Sequence, residues 1–328
     1  MNKREFITLL GGAATWPLAA RAQQPERMRR VGILMPFPPT NAEMQARVRA
    51  FREELRKRGW AAGVNVQFDE RWTSDNMDLI RSAATNLVEL NSDAILAQGA
   101  RVIPILMELT RSIPVIVPGG AEPVARGYAD SLAHPGRNVT GFATMEFSII
   151  TKMLQTLKEI APSVSHISMI YNPDSPAGTL FVRWFESAAG PLGFKPTISH
   201  IHGLADIERA VAAAAAQPNS GIFFPLDVTV FAFIEQTVAT VARHRLPAIY
   251  SERVFVTSGG LVYYGADRAE MYRGAASYVD RILRGEKAGD LPFQEPTKYD
   301  LVINLRTAKA LGLTIPPQLL FTADEVIE

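Results

Sequence analysis

Arg30-Val31-Gly32-Ile33-Leu34-Met35 is a nearly unbroken apolar run, which is typical of a strand covered on both faces of a parallel sheet. Thr40 and Glu43 follow it and match a capping box, a residue pair with which many helices begin. Apolar side chains then recur at helical spacing from Met44 to Leu55. The fold is therefore predicted to begin with a buried strand and an amphipathic helix.

The same alternation continues along the chain. Residues 64–68 alternate between apolar and polar side chains, as in an outer strand with one exposed face. Residues 76–90 have helical periodicity, and residues 94–97 and 115–117 are short apolar strands. Strands that alternate with helices predict a parallel sheet with helices on both faces.

The second half of the chain repeats this pattern. Residues 167–171 match the first strand, residues 221–224 match 94–97, and residues 246–250 match 113–117. The matching segments come in the same order and at similar spacing. We interpret them as two lobes of one design; the alternative is a chance coincidence within a long α/β chain.

The tail adds one strand and one long helix, at residues 261–264 and 267–284, and then a strand at 299–304 with a final helix. One such unit for each lobe makes the chain cross between the lobes three times, which predicts a hinge. The predicted lobe 1 contains residues 29–142 and 259–292. The predicted lobe 2 contains residues 143–258 and 293–328.

The N-terminus has the pattern of a secretory signal peptide at residues 1–22. Lys3 and Arg4 precede a mostly apolar run, which ends in the small-x-small cleavage signal Ala20-Arg21-Ala22. The alternative is a buried N-terminal helix. Because Lys3 stands where a twin-arginine signal has its first arginine, both the twin-arginine and the general export route stay open.

Charge and cysteine content exclude several classes of protein. The 328 residues carry a formal net charge of +1, so no basic surplus points to nucleic acid. The absence of cysteine excludes disulfides, thiolate metal sites and a cysteine nucleophile. It also excludes a lipid-modified cysteine, so the exported chain is expected to be free in its compartment and not a lipoprotein.

Motifs of enzymes and cofactor sites are missing from the sequence. It contains no dinucleotide-binding glycine pattern, no Walker A loop and no G-x-S-x-G elbow, so no catalytic residue and no cofactor are predicted. His200 and His202 share one face of a predicted strand, which suits either a metal ion or a solvated edge; with no third ligand nearby, no metal is predicted.

Several longer segments resemble a known family. They are DSLAHPGRNVTG at residues 130–141, GGLVYYG at 259–265, PTKYDLVINL at 296–305 and AKALG at 308–312. The chain closely resembles the ABC-transporter substrate-binding proteins of the tryptophan/tyrosine-type (TrpX-like) family. The resemblance implies a type 1 periplasmic-binding-protein fold, with two Rossmann-like lobes around a cleft.

The resemblance also implies a function and partners. The chain is expected to be the periplasmic solute-binding component of an ABC importer, and to bind a small amino-acid-like or aromatic ligand by hinge closure. Its expected partners are a membrane permease and a separate ATPase subunit. It is expected to be a monomer without direct membrane insertion. The alternatives are a ligand sensor for a membrane receptor and a periplasmic two-lobed α/β enzyme.

The ligand is expected beyond the carboxyl ends of the strands, where open parallel sheets bind their ligands. In lobe 1 the loops at these ends are residues 36–40, 98–101 and 118–122. In lobe 2 they are residues 172–175, 225–228 and 251–253. Thr40 and Ser251 lie in these loops and are included among the candidate ligand residues.

Small residues in the lobe 1 loops are candidates for holding a ligand carboxylate. They are Gly99, Ala100, Gly119, Gly120 and Ala121. Glycine lets backbone N–H groups approach a ligand closely, and a helix start favours an anion. The alternative is that these glycines only form tight turns.

In lobe 2, Asp227 follows a buried strand, where a carboxylate needs a cationic partner. It either pairs with a ligand ammonium or caps the next helix. Asn172 either donates to the ligand or starts a turn. Glu252 either reaches the rim of the cleft or forms a salt bridge across the closed lobes.

Three aromatic residues are candidates for stacking on an aromatic ligand. They are Phe37, Phe142 and Tyr264. The alternative for each is packing in the core or at the hinge.

Overall fold

The computed structural model describes residues 27–120, 122–143, 147–175, 177–296 and 298–328. The predicted signal peptide at residues 1–22 and the candidate ligand residue Ala121 lie outside the described residues. The described chain forms two α/β lobes, each built around one sheet. The predicted two-lobed α/β class is confirmed.

The first lobe contains a sheet with strand order β2-β1-β3-β4-β5, in which all neighbouring strands are parallel. Its strands are β1 (Arg29–Met35), β2 (Val66–Trp72), β3 (Ala94–Ala97), β4 (Val115–Val117) and β5 (Val139–Gly141). The connecting helices are α1 (Ala42–Lys57), α2 (Met77–Glu89) and α3 (Val102–Leu109). β1 is buried from its third residue onward, which explains why its sequence is a continuous apolar run.

The second lobe contains a seven-stranded sheet with strand order β12-β11-β10-β9-β8-β6-β7. Its strands are β6 (His166–Tyr171), β7 (Lys195–His200), β8 (Ser220–Phe224), β9 (Ala248–Tyr250), β10 (Val262–Ala266), β11 (Tyr299–Asn304) and β12 (Glu325–Ile327). The helices that follow along the chain are α4 (Phe147–Ile160), α5 (Gly178–Ala189), α6 (Leu204–Ala215), α7 (Val228–Phe231), α8 (Ile234–Arg243), α9 (Arg253–Thr257), α10 (Arg268–Leu283), α11 (Leu305–Ala310) and α12 (Pro317–Thr322). In the parts of the chain that the structure describes, no helix has both the length and the apolar character that crossing a bilayer requires.

The two sheets share one topology over five strands. The first sheet has the order β2-β1-β3-β4-β5, and the second has the order β7-β6-β8-β9-β10 before β11 and β12 extend it. The segments matched in the sequence, β1 with β6, β3 with β8 and β4 with β9, hold equivalent positions. The strand order therefore supports the interpretation that the two lobes are two copies of one structural unit.

One part of the predicted division of the chain differs from the structure. Residues 259–292 were assigned to lobe 1, but β10 pairs with β9 in the second sheet, with Val262 opposite Ile249. β10 is the counterpart of β5, so the chain crosses to lobe 1 after this strand and not before it. β10 is also antiparallel to β11, so the second sheet is not wholly parallel.

Three chain segments connect the lobes, between β5 and α4, between β10 and α10, and between α10 and β11. Two of them run side by side: the Ala143 amide donates to the Gln294 carbonyl at 2.8 Å, and the Gln294 amide donates to the Gly141 carbonyl at 2.9 Å. Phe142 packs on Tyr278 of α10 with a ring separation of 5.2 Å. These contacts make the crossings a defined hinge.

The first helix begins one residue later than the capping box predicts. Asn41 is the N-cap, and its side-chain oxygen accepts from the Met44 amide at 2.9 Å. Thr40 is exposed, and Glu43 pairs with Arg47 instead of returning to the cap. Asparagine is a better cap than threonine, which explains the shift.

We expect Asn41→Ala to lower the free energy of unfolding by about 1 kcal/mol, because the Met44 amide loses its acceptor. Thr40→Ala is the matched control and is expected to change it by less than about 0.5 kcal/mol. Urea unfolding of both variants measures the difference. An equal loss in the two variants would show that Asn41 is not the main cap.

Candidate functional site

A cavity of about 90 Å³ lies between the lobes, room for several water molecules. Each of the six strand-end loops identified from the sequence contributes at least one residue to its lining. The residues from these loops are Phe37, Gln98, Gly99, Ala100, Gly119 and Gly120 from lobe 1, and Ser175, Leu226, Asp227, Val228 and Glu252 from lobe 2. We call this the main cavity. The carboxyl ends of both sheets therefore face one shared space.

The walls of the main cavity are largely apolar. Phe37 from lobe 1 and Phe231 from lobe 2 meet edge to face, with ring centroids 5.5 Å apart. Ile103 and Met44 from lobe 1 and Phe181 from lobe 2 extend these walls. Such walls suit an aromatic ring, which prefers edge-to-face or offset neighbours.

Asp227 places a nearly buried carboxylate in the lining, with 6% of its surface exposed. Its Oδ1 accepts from the amides of Thr229 and Val230, and its Oδ2 accepts from the Asn172 amide at 2.8 Å. Burial raises the pKa of Asp227, while these hydrogen bonds oppose the rise. The carboxylate is therefore both a helix cap and a group with acceptor capacity left for a cation.

Asn172 is held by its own lobe. Its side-chain amide donates to Thr229 Oγ1 at 2.9 Å, and its side-chain oxygen accepts from the Asp174 amide at 2.9 Å. These bonds form a turn, which is one of the two alternatives that the sequence analysis gives for Asn172. They also position the backbone amide that binds Asp227.

The lobe 1 side of the main cavity presents hydrogen-bond donors. Gly99 has φ +104°, and a Cβ there would lie 2.8 Å from Pro36, so the loop before α3 needs glycine. The Tyr272 hydroxyl donates to Gln98 Oε1 at 2.7 Å, which leaves the Gln98 amide nitrogen as a donor. The Arg126 guanidinium, which donates to the Ala100 carbonyl at 3.2 Å, adds a positive charge to the lining.

A buried ion cluster joins the lobes at the edge of this cavity. Arg47 of α1 donates to Glu252 at 2.5 Å, and Arg268 at the start of α10 lies 3.1 Å from the other Glu252 oxygen. Burial by itself raises the pKa of Glu252, but the charges and hydrogen bonds of the two arginines outweigh it and hold that pKa below its usual range. Glu252 therefore forms the salt bridge across the closed lobes and also lines the edge of the cavity, so both alternatives describe it.

A smaller satellite cavity adjoins the main one. It is lined from lobe 1 by Asp75 and Arg101 and from lobe 2 by Asn172 and Thr229, and it shares Gly99, Ala100, Ser175, Asp227 and Val228 with the main cavity. The two cavities therefore meet at Asp227.

The structure brings together seven of the twelve candidate ligand residues. Phe37, Gly99, Ala100, Gly119, Gly120 and Asp227 line the main cavity, and Asn172 lines the satellite cavity. The others lie elsewhere or are not described: Thr40 is exposed before α1, Phe142 packs at the hinge, Ser251 is buried with its amide on the Phe224 carbonyl, Tyr264 stacks on Tyr299, and Ala121 lies outside the described residues.

Sequence reasoning missed several lining residues. Phe181 and Phe231 lie on helices of lobe 2, and Arg126 and Tyr128 lie late in the long loop after β4. The positive charge of Arg126, in a loop that follows a strand, could have marked it as a candidate from the sequence. The two phenylalanines have helical spacing like ordinary core residues, so the sequence alone did not distinguish them.

The two histidines remain separate from this site, and they do not share a strand, since β7 ends at His200 and His202 follows it in the loop before α6. His202 pairs with Asp174 at 3.3 Å, and His200 Nε2 lies 3.4 Å from the Tyr171 hydroxyl. Within the described ranges, no group of three or more histidine or acidic side chains is arranged to hold a metal ion.

Comparisons with known proteins agree with this architecture. A family model described as ABC transporter substrate binding protein matches residues 39–327. The "Tyrosine-binding protein" of Clostridioides difficile is 24% identical over 265 residues, which cover 81% of this chain and 76% of that relative.

Two solved structures have the same fold. A conserved domain protein from Vibrio cholerae is 26% identical with a TM-score of 0.85, covering 92% of this chain and 100% of that one. An ABC domain from Streptococcus pneumonia in complex with L-Trp is 21% identical with a TM-score of 0.84, covering 91% of this chain and 99% of that one. The predicted type 1 periplasmic-binding fold is confirmed.

We expect Glu252→Ala to destabilise the closed arrangement by about 3–5 kcal/mol, because Arg47 and Arg268 stay buried after losing their shared carboxylate. Both arginines belong to lobe 1 and Glu252 to lobe 2, so we expect opening to expose the arginines to water and the loss to fall on the closed form. Small-angle scattering of the ligand-free protein should show a larger radius of gyration than the wild type.

The control is Arg253→Ala. Arg253 is the next residue, but it is exposed and pairs with Glu325 of the same lobe, so its removal should leave the radius unchanged. A Glu252→Ala protein with the wild-type radius would show that the ion cluster does not hold the lobes together.

Proposed function

The chain belongs to the ABC transporter substrate-binding protein family, as the resemblance predicted, and we propose that it is the periplasmic solute-binding component of an ABC importer for an aromatic amino acid. It is a substrate-binding protein and not an enzyme. The observation that carries the proposed ligand is the combination, in one cavity between the lobes, of apolar aromatic walls with the carboxylate of Asp227 and the guanidinium of Arg126.

The charges around the cleft support a zwitterion. Among the described residues, the two cavities are lined by three positive and three negative side chains, namely Arg47, Arg101, Arg126, Asp75, Asp227 and Glu252. A ligand with one ammonium and one carboxylate keeps this balance. An aromatic carboxylate without an amino group leaves one buried negative charge uncompensated, which is costly in a site closed to water.

The proposed orientation follows from where the groups lie. The aromatic ring contacts Phe37 and Phe231. The ammonium donates to the carboxylate oxygens of Asp227, at the lone pairs that its protein donors leave free. The ligand carboxylate receives hydrogen bonds from lobe 1, where Arg126 and the Gln98 amide line the cavity. The ligand then contacts both lobes at once.

Contacts to both lobes couple binding to closure. A ligand shifts the equilibrium between open and closed forms only by its difference in affinity for the two. The open form offers the ligand one lobe at a time, whereas the closed form offers Asp227 and the lobe 1 donors together. Hinge rotation at the three crossings is the motion required.

The proposed transport role implies two protein partners. The permease recognises the closed form, and a separate subunit hydrolyses ATP. We further propose that the N-terminal signal is cleaved after Ala22 and that the mature protein acts in the periplasm as a monomer. The relatives named for tyrosine and for L-Trp support the ligand class.

A thermal-shift screen of the mature protein tests the ligand class. L-tyrosine, L-tryptophan and L-phenylalanine should raise the melting temperature, because a ligand that binds only the folded form stabilises it by mass action. Benzoate and myo-inositol serve as comparison compounds and should give smaller shifts. Stabilisation by myo-inositol alone, or by none of the amino acids, would refute the proposed ligand.

We expect Asp227→Asn to weaken amino-acid binding by about 1–3 kcal/mol in isothermal titration, because the ammonium loses a charged acceptor. Asparagine still caps a helix well, so the variant is expected to fold. Asp174→Asn is the matched control, since Asp174 is exposed on the same lobe and lines neither cavity. Unchanged affinity in Asp227→Asn would remove Asp227 from the ligand site.

A further inference from the structure

We propose that Asp75 determines the specificity of this site for ligands with a primary ammonium group, by closing over that group from lobe 1 while Asp227 holds it from lobe 2. This inference rests on the proposed function and names the residue that discriminates between an amino acid and its analogue without the amino group. The loop that carries Asp75 was not among those identified from the sequence.

Asp75 reaches the cleft because of a tight turn after β2. β2 ends at Trp72 on the same sheet edge as the other strands of lobe 1, and Ser74 and Asp75 follow with left-handed φ values of 49° and 55°. Aspartate is one of the few residues besides glycine that tolerates this conformation. The turn brings the side chain of Asp75 into the satellite cavity.

The satellite cavity is formed by both lobes. Asp75 and Arg101 line it from lobe 1, and Asn172, Thr229 and Asp227 line it from lobe 2. Since the main cavity also meets Asp227, a ligand whose ring lies in the main cavity has its ammonium beside the satellite cavity. Only closure of the lobes brings Asp75 to this position.

The charges in the satellite cavity require one more cation. Asp75 pairs with Arg101 at 3.2 Å, which compensates one of the two carboxylates. Among the described residues, the donors to Asp227 are neutral: the amides of Asn172, Thr229 and Val230 and the side chain of Thr229. Closure without a ligand ammonium therefore brings two carboxylates into one cavity with a single guanidinium, that of Arg101, to offset their charge.

The two carboxylates are near enough to affect each other. Burial raises the pKa of Asp75, Arg101 opposes the rise, and the negative charge of Asp227 adds to it. The repulsion opposes closure of the empty site. A ligand ammonium placed between the carboxylates turns this repulsion into attraction to both lobes, so the amino group shifts the equilibrium further toward the closed form.

The test compares a pair of compounds that differ only in the amino group. The mature wild-type protein and Asp75→Asn are titrated calorimetrically with L-phenylalanine and 3-phenylpropionate, and with the corresponding tyrosine pair. We expect Asp75→Asn to raise the Kd for the amino acid about tenfold and to leave the Kd for the acid unchanged or lower. The preference for the amine is then largely lost.

Two control variants separate charge from structure. Asp78→Asn removes an exposed carboxylate three residues away that lines neither cavity, and it should behave as the wild type. Arg101→Gln breaks the same ion pair as Asp75→Asn but leaves the Asp75 charge in place. It should keep the preference for the amine at least as strong as in the wild type.

Several results would overturn the inference. An Asp75→Asn protein with wild-type affinity for both compounds would place Asp75 outside the ligand site. Equal weakening of both compounds in Asp75→Asn and in Arg101→Gln would assign Asp75 a structural role only. Wild-type protein that binds neither amino acid would refute the proposed function itself, and the wild-type titration alone separates this result from the others.

Discussion

A charge buried between two lobes is stable only with a counter-charge at hydrogen-bonding distance, and this constraint governs the whole interlobe region. Glu252 of lobe 2 satisfies it within the protein, because Arg47 and Arg268 both reach it when the lobes close. Asp227 satisfies it only in part, since its hydrogen-bond donors carry no charge. The protein thus contains one closure contact that is complete and one that a cationic ligand completes.

The shared topology of the two sheets makes this arrangement possible. In each sheet the parallel strands end at one edge, and the hinge turns the two edges toward each other. Because three crossings connect the lobes and two of them are hydrogen-bonded side by side at Ala143 and Gln294, the lobes can rotate without losing their alignment. The same loops therefore meet at each closure, and the buried charges find the same partners.

The predictions from the sequence succeeded where a local pattern had one physical meaning. Continuous apolar runs marked the buried strands, and all six strand-end loops proved to reach the cavity. The differences have physical causes as well. Asn41 displaced Thr40 as the cap because it is the stronger acceptor. β10 belongs to the second sheet, and the residues of a strand do not show which sheet it joins. The placement of Phe142 and Tyr264 away from the cavity follows from the packing of Tyr278 and Tyr299.

The amino-acid sequence by itself determined the class of fold, the duplication and the edge of each sheet at which a ligand binds, because hydrophobic periodicity and the alternation of strands and helices along the chain are visible in short stretches of sequence. Tertiary structure alone decided which side chains meet across the cleft. Asp75 and Asp227 lie far apart in the chain, on loops of different lobes, and share a cavity only after closure. Such a contact depends on the rotation between two rigid bodies, and no short-range pattern encodes that rotation.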